Sequence, residues 1–105
     1  MADLVEVRIA CPDLASAQAI ADVLVAERLA ACVQMLGEMT STFVWQGRVH
    51  RDPEVLLLAK TTDARFDAMV VRVDDLHPYK TPEVLGVPVT HALPRYAAWV
   101  RDQLG

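Results

Sequence analysis

Apolar and polar residues alternate from Leu4 to Ile9, with Val5, Val7 and Ile9 on one side and Glu6 and Arg8 on the other. A period of two marks a strand with one face buried. The period changes after Pro12-Asp13. Asp13 is a candidate helix N-cap, and Ala17, Ile20, Ala21 and Leu24 repeat at i, i+3, i+4 and i+7, predicting an amphipathic helix that ends near Leu29. Extended structure returns at Ala31–Leu36. It is interrupted by Gly37, where a bulge or bend is expected, and resumes over the β-branched and aromatic run Thr40–Trp45. Gln46-Gly47 reads as a two-residue hairpin turn. The return strand is expected over Val49–Thr61, with Pro53 on an edge or bulge because it has no N–H to donate.

A second helical period follows. Asp63 is the N-cap candidate, and Phe66, Met69, Val70 and Val73 form the apolar stripe. The segment His77-Pro78-Tyr79-Lys80-Thr81-Pro82-Glu83 holds two prolines and predicts an extended loop. Val84–Val89 is a fourth strand candidate. Pro94 suits the first turn of a last helix, whose apolar face is read as Tyr96, Trp99, Val100 and Leu104. The order is strand, helix, strand, strand, helix, strand, helix. It predicts an α+β, ferredoxin-like arrangement of two βαβ halves joined by a long β-hairpin, with residues 1–105 forming a single domain.

Two strands are apolar on both faces. Val55, Leu57 and Ala59 occupy one side of the return strand and Leu56 and Leu58 the other; in the fourth strand Val84 opposes Leu85, Val87 and Val89. Burial on both faces is the usual reason for such runs. Two helices cover only one face of a four-stranded sheet, so the other face calls for the terminal helix and for further copies of the chain. The long hairpin points the same way, since an isolated two-stranded ribbon is marginal in water. Trp45, beside the turn, is then the expected anchor at the interface between copies.

Composition narrows the function. The chain is 53% hydrophobic with mean hydropathy +0.24, yet no apolar run nears the ~18 residues of a membrane span. Its net charge of −4 includes no basic cluster, which argues against nucleic-acid binding. Met1-Ala2-Asp3-Leu4 shows no basic-then-apolar leader pattern, so the expected location is cytoplasmic. Cys11 and Cys32 lack the spacing of a metal or redox pair and read as small buried residues. No P-loop, nucleophile elbow or paired-carboxylate signature accompanies His50 or His91, so the expectation is a protein that is not an enzyme and needs no cofactor.

Several stretches, in order and over nearly the whole chain, carry a resemblance. Leu29-Ala30-Ala31-Cys32-Val33, Thr40-Ser41-Thr42-Phe43-Val44-Trp45-Gln46-Gly47, Glu54-Val55-Leu56-Leu57-Leu58-Ala59-Lys60-Thr61, His77–Glu83 and Tyr96-Ala97-Ala98-Trp99 resemble the motifs of the CutA family. The resemblance implies a homotrimer of ferredoxin-like protomers, similar in architecture to PII-like signalling proteins. It also implies a part in the response to divalent metal ions, with copper(II) or another divalent cation as the candidate ligand. In some relatives a first-strand Cys and two adjacent His are the copper ligands; here Ile9 and Leu76 stand at two of those positions and only His77 matches. His77 is therefore the single metal-ligand candidate. Cys32, Lys60, His77, Tyr79 and Glu83 are expected to line an inter-subunit cleft suited to a small polar or anionic ligand. Two other roles fit the same trimer: a sensor of a small metabolite at those clefts, and an anchor for a partner protein.

Overall fold

A computed structural model describes residues 3–105; Met1 and Ala2, half of the N-terminal stretch read for a leader, lie outside it. Seven elements follow one another: β1 (Leu4–Cys11), α1 (Leu14–Ala26), β2 (Cys32–Trp45), β3 (Arg48–Thr62), α2 (Asp63–Leu76), β4 (Val84–Pro88) and α3 (Pro94–Leu104). The strands form one antiparallel sheet in the order β2-β3-β1-β4, the ferredoxin-like order expected from the pattern.

The stripes read from the sequence face one side of the sheet, although in α2 only Met69 and Val73 are buried and Phe66 and Val70 stay partly exposed. Ala17, Ile20, Ala21 and Leu24 of α1 and Met69 and Val73 of α2 pack on Val5, Val7 and Ile9 of β1 and on Val55, Leu57 and Ala59 of β3. Asp13 caps α1, its carboxylate accepting from the Ser16 N–H at 2.8 Å. The helix stops at Ala26, three residues before the expected end. Arg28 takes φ 56°, and the Leu29 and Arg28 N–H groups donate to the Leu24 and Val25 carbonyls. That is a Schellman stop, closed by apolar contact between Leu24 and Leu29. It went unread because Arg28, not glycine, takes the left-handed position. The α2 N-cap is Thr62 rather than Asp63; Asp63 is the first helical residue, where its charge suits the helix dipole.

The hairpin turn is as read: Gln46 and Gly47 both have positive φ, 51° and 76°, as a type I′ turn requires. The expected irregularity at Gly37 is a register shift between Leu36 and Met39, but the residue with positive φ is Glu38, at 50°. β1 ends at Cys11, opposite Val55, so from Glu54 outward β3 is paired with β2 alone. Pro53 sits in that one-sided stretch, where its missing N–H leaves no central ladder broken. The outer ribbon stretches the molecule to 44 × 25 × 22 Å and its radius of gyration to 14.2 Å, against about 13 Å for a compact chain of this length.

The terminal helix differs from expectation. Its buried face is Ala97, Val100 and Leu104, packed on Leu4 with Ala31 and Val89. Tyr96 and Trp99, read as core residues, are 38% and 42% exposed and stack on each other at 5.8 Å. The patch of sheet left for α3 is small, and Ala97 lets the helix sit close to it while the larger rings stay at its margin.

Candidate functional site

Alternation along β3 puts His50, Asp52 and Glu54 on one face of the ribbon. In register across β2 they meet Phe43, Ser41 and Met39. The loop between α2 and β4, residues 77–83, passes the end of β1 and faces this surface. Together they enclose a cleft of about 750 Å³, reaching from Ala10 to Trp45. Its ribbon wall carries Phe43, Trp45, His50, Asp52 and Glu54, and its loop wall Tyr79, Lys80 and Glu83.

Two hydrogen bonds hold the loop wall in place through His77, which is 7% exposed. Its Nδ1 accepts from the Tyr79 N–H at 3.1 Å. The proton therefore sits on Nε2, which donates to the Ala10 carbonyl at 2.7 Å. Both ring nitrogens are thus in use, one on the end of β1 and one on the loop. The helix ends there because the residue before Pro78 is pushed to extended backbone, φ −73° and ψ 137°.

Tyr79 stands against the His77 ring, 4.9 Å between centroids, and donates its hydroxyl to Glu54 Oε2 at 2.9 Å. Burial first, and then the carboxylates of Glu54 and Asp52, push the Tyr79 phenol up to about 12, so it stays a donor beyond the pH at which a free phenol ionises. Glu54 lines the cleft and is only 8% exposed, and Tyr79 supplies its only hydrogen bond among the described residues. Cys11 is fully buried beside this corner, its thiol pushed up to about 11 by burial and by Glu54.

Of the residues singled out in the sequence, Tyr79 and Glu83 line this cleft and His77 braces it from behind. Trp45 lies at its outer end, 42% exposed. Cys32 and Lys60 lie elsewhere in the chain. They are partners in register on β2 and β3, and the Lys60 ammonium pairs with Glu6 at 2.7 Å. That row is six residues along β3 from Glu54, roughly 20 Å at the rise of a strand. One chain alone therefore does not bring the five expected cleft residues into one site. Glu54, Asp52 and His50 were missed as site residues. Their signal was a polar i, i+2, i+4 set on a strand whose inner half is apolar.

Copper needs several N or S donors in a defined geometry. Within one copy, no three His, Cys, Asp or Glu side chains among the described residues converge to hold a metal ion. The apolar substitutes at the two unmatched ligand positions belong to the core: Ile9 is fully buried and Leu76 packs against the same cluster.

Residues 5–103 match the family model described as CutA1 divalent ion tolerance protein. The chain belongs to the CutA family. A divalent-cation tolerance protein CutA of Thermus thermophilus is 43% identical over 99 residues, covering 94% of this chain and 96% of that protein. The crystal structure of CutA from Xylella fastidiosa superposes with a TM-score of 0.95 at 42% identity, covering 98% of this chain and 99% of that one. The periplasmic divalent cation tolerance protein CutA of Archaeoglobus fulgidus superposes with a TM-score of 0.94 at 27% identity, covering 97% and 99%. The ferredoxin-like scaffold is thus shared with solved CutA structures, ribbon included.

Proposed function

We propose that this CutA chain serves divalent-cation tolerance as a homotrimer, with any cation ligand set assembled from more than one copy. The observation that carries the reading is the apolar surface one copy leaves bare. Leu36 and Leu85, on the sheet face away from α1 and α2, are 54% and 55% exposed, and Leu56 and Leu58 between them are half-buried. The ribbon exposes apolar groups on both sides, Val44 and Val49 at 69% on one and Phe43 and Trp45 at 37% and 42% on the other. Burying each such side chain fully is worth roughly 1.5–3 kcal/mol. Several of them in one contiguous surface are what soluble monomers avoid.

Copper(II) is the first candidate cation. His77 becomes a ligand only if the cation displaces one of its two hydrogen bonds, and donors from a neighbouring copy supply the rest. Free Cys11 and Cys32 accord with a reducing, cytoplasmic location. Light scattering at micromolar concentration is expected to give three times 11.6 kDa. Isothermal titration with Cu(II) should then show binding that disappears in an assembly-broken variant such as Leu85→Asp. A stable monomer of wild-type protein, or copper affinity no tighter than millimolar, sinks the proposal.

A further inference from the structure

The sheet face away from α1 and α2 is not purely apolar. Alternation along β1 puts Glu6 and Arg8 there, opposite the buried Val5, Val7 and Ile9. Register sets Arg8 between Leu58 of β3 and Leu85 of β4, so a guanidinium stands in the middle of the bare patch that other copies are proposed to cover. Glu6 does not fully neutralise it. One Glu6 oxygen accepts from the Lys60 ammonium at 2.7 Å, and the Arg8 Nε reaches the other oxygen only at 3.5 Å, longer than a normal N–H···O bond. Two cations thus share one carboxylate, and the Arg8 side chain is 49% exposed. The cost of burying a charge without a partner outweighs the gain from burying the leucines beside it. Whatever covers this patch must therefore bring an anion to Arg8.

The chain carries such an anion farther along the same face. Asp52, Glu54, Leu56, Leu58 and Lys60 alternate along one side of β3, so the ribbon cleft continues the sheet surface. The cleft sets Asp52, Glu54 and Glu83 against a single ammonium, Lys80, which pairs with none of them. Glu54 is taken by Tyr79. Glu83, two positions before Leu85, makes no ion pair with Arg8 in its own copy. Asp52 is exposed and without an ion pair among the described residues, and it lies beside the Phe43 ring, which stacks on His50 at 5.5 Å. A guanidinium suits that corner, because it forks onto a carboxylate and stacks on a ring. Within one copy the two charges do not meet: Arg8 is opposite Leu58, six residues of β3 from Asp52, or roughly 20 Å at the rise of a strand. We infer that the Arg8 guanidinium of one copy enters the ribbon cleft of the next, where it forks onto Asp52 and stacks against Phe43. This contact rests on the trimer reading and sets the register in which the copies join.

The test is subunit exchange in the full-length, assembled protein, followed by mixing copies that carry donor and acceptor fluorophores. Arg8→Gln and Asp52→Asn should each speed exchange at least about tenfold, since each leaves a charge in the interface without its partner. Together they should be no faster than the faster single variant, as two ends of one contact require. Arg8→Glu should weaken the assembly further, and adding Asp52→Arg to the same chain should restore it at least in part. Across roughly 20 Å of one chain, such rescue passes between copies. Circular dichroism checks that each variant is folded; if Arg8→Glu is not, the cycle of Arg8→Gln and Asp52→Asn carries the test. Additive single effects, exchange untouched by Asp52→Asn, or no rescue of a folded Arg8→Glu variant would each overturn the inference and leave the trimer standing. A monomeric wild type in light scattering would strike the trimer reading itself, and this contact with it.

Discussion

His77 is the residue for which the structure and the family resemblance give different jobs, and His77→Ala separates them. In the structure the imidazole ties the end of β1 to the loop through the Ala10 carbonyl and the Tyr79 N–H. Truncation removes two neutral hydrogen bonds, each worth about 0.5–1.5 kcal/mol net. It also leaves two backbone groups in a corner where the ring is 7% exposed. If water reaches both, the loss is about 1–3 kcal/mol; if neither is resolvated, each group instead costs its full desolvation penalty and the total is roughly 2–6 kcal/mol. The assay is urea unfolding of metal-free protein in chelator at one fixed protein concentration, since assembly makes stability depend on concentration. Hydrogen exchange at the Tyr79 amide supplies the local readout, and it should quicken even where global stability changes little. A metal ligand with no structural duty would lose nothing under these conditions. Destabilisation below about 0.5 kcal/mol together with unchanged exchange at Tyr79 would refute the bracing role.

Three other outcomes follow from the geometry. A methyl group added at Gly86 would stand 2.8 Å from Phe66 Cε1 and 3.1 Å from Val5 Cγ1, so Gly86→Ala should cost about 1–3 kcal/mol and lower the thermal midpoint by several degrees; an unchanged midpoint, or no recovery when Phe66→Leu is added, would contradict the crowding. The Tyr79 phenol is raised from 10.0 to about 12 in the folded protein. Its contribution is complete below pH 10 and is lost as pH climbs through about 12, because the unfolded chain gives up the proton first; the alkaline decline in stability should therefore be shallower in Tyr79→Phe, as read by denaturant titrations at pH 9 and 11. At the acid end, Lys60 holds the Glu6 carboxyl below its usual value of 4.5. That contribution, about 1 kcal/mol for a partly exposed pair, is present above pH 4.5 and fades as pH falls through the lowered value; Glu6→Gln should be less stable than wild type at pH 7, and the gap should close as pH falls below the lowered value.

Much of this protein was legible one residue at a time. The α1 stripe of Ala17, Ile20, Ala21 and Leu24 follows from the period of a helix, the β1 face of Val5, Val7 and Ile9 from the period of a strand, and the turn at Gln46-Gly47 from the conformations its residues tolerate. These are local properties, set within a few residues of chain, and together they also implied the order of elements and hence the ferredoxin-like topology. The cleft was not legible in this way. Glu54 and Tyr79 are 25 positions apart and meet only because the α2–β4 loop passes the end of β1 where β3 runs on without it. Lys60 belonged to the right family motif, yet register hands it to Glu6. Tyr96 and Trp99 have the spacing of a core stripe, but α3 meets a patch of sheet already filled by Ala97, Val100 and Leu104. Periodicity says which side chains share a face; which partner that face meets, and how much room is left there, is decided by long-range packing.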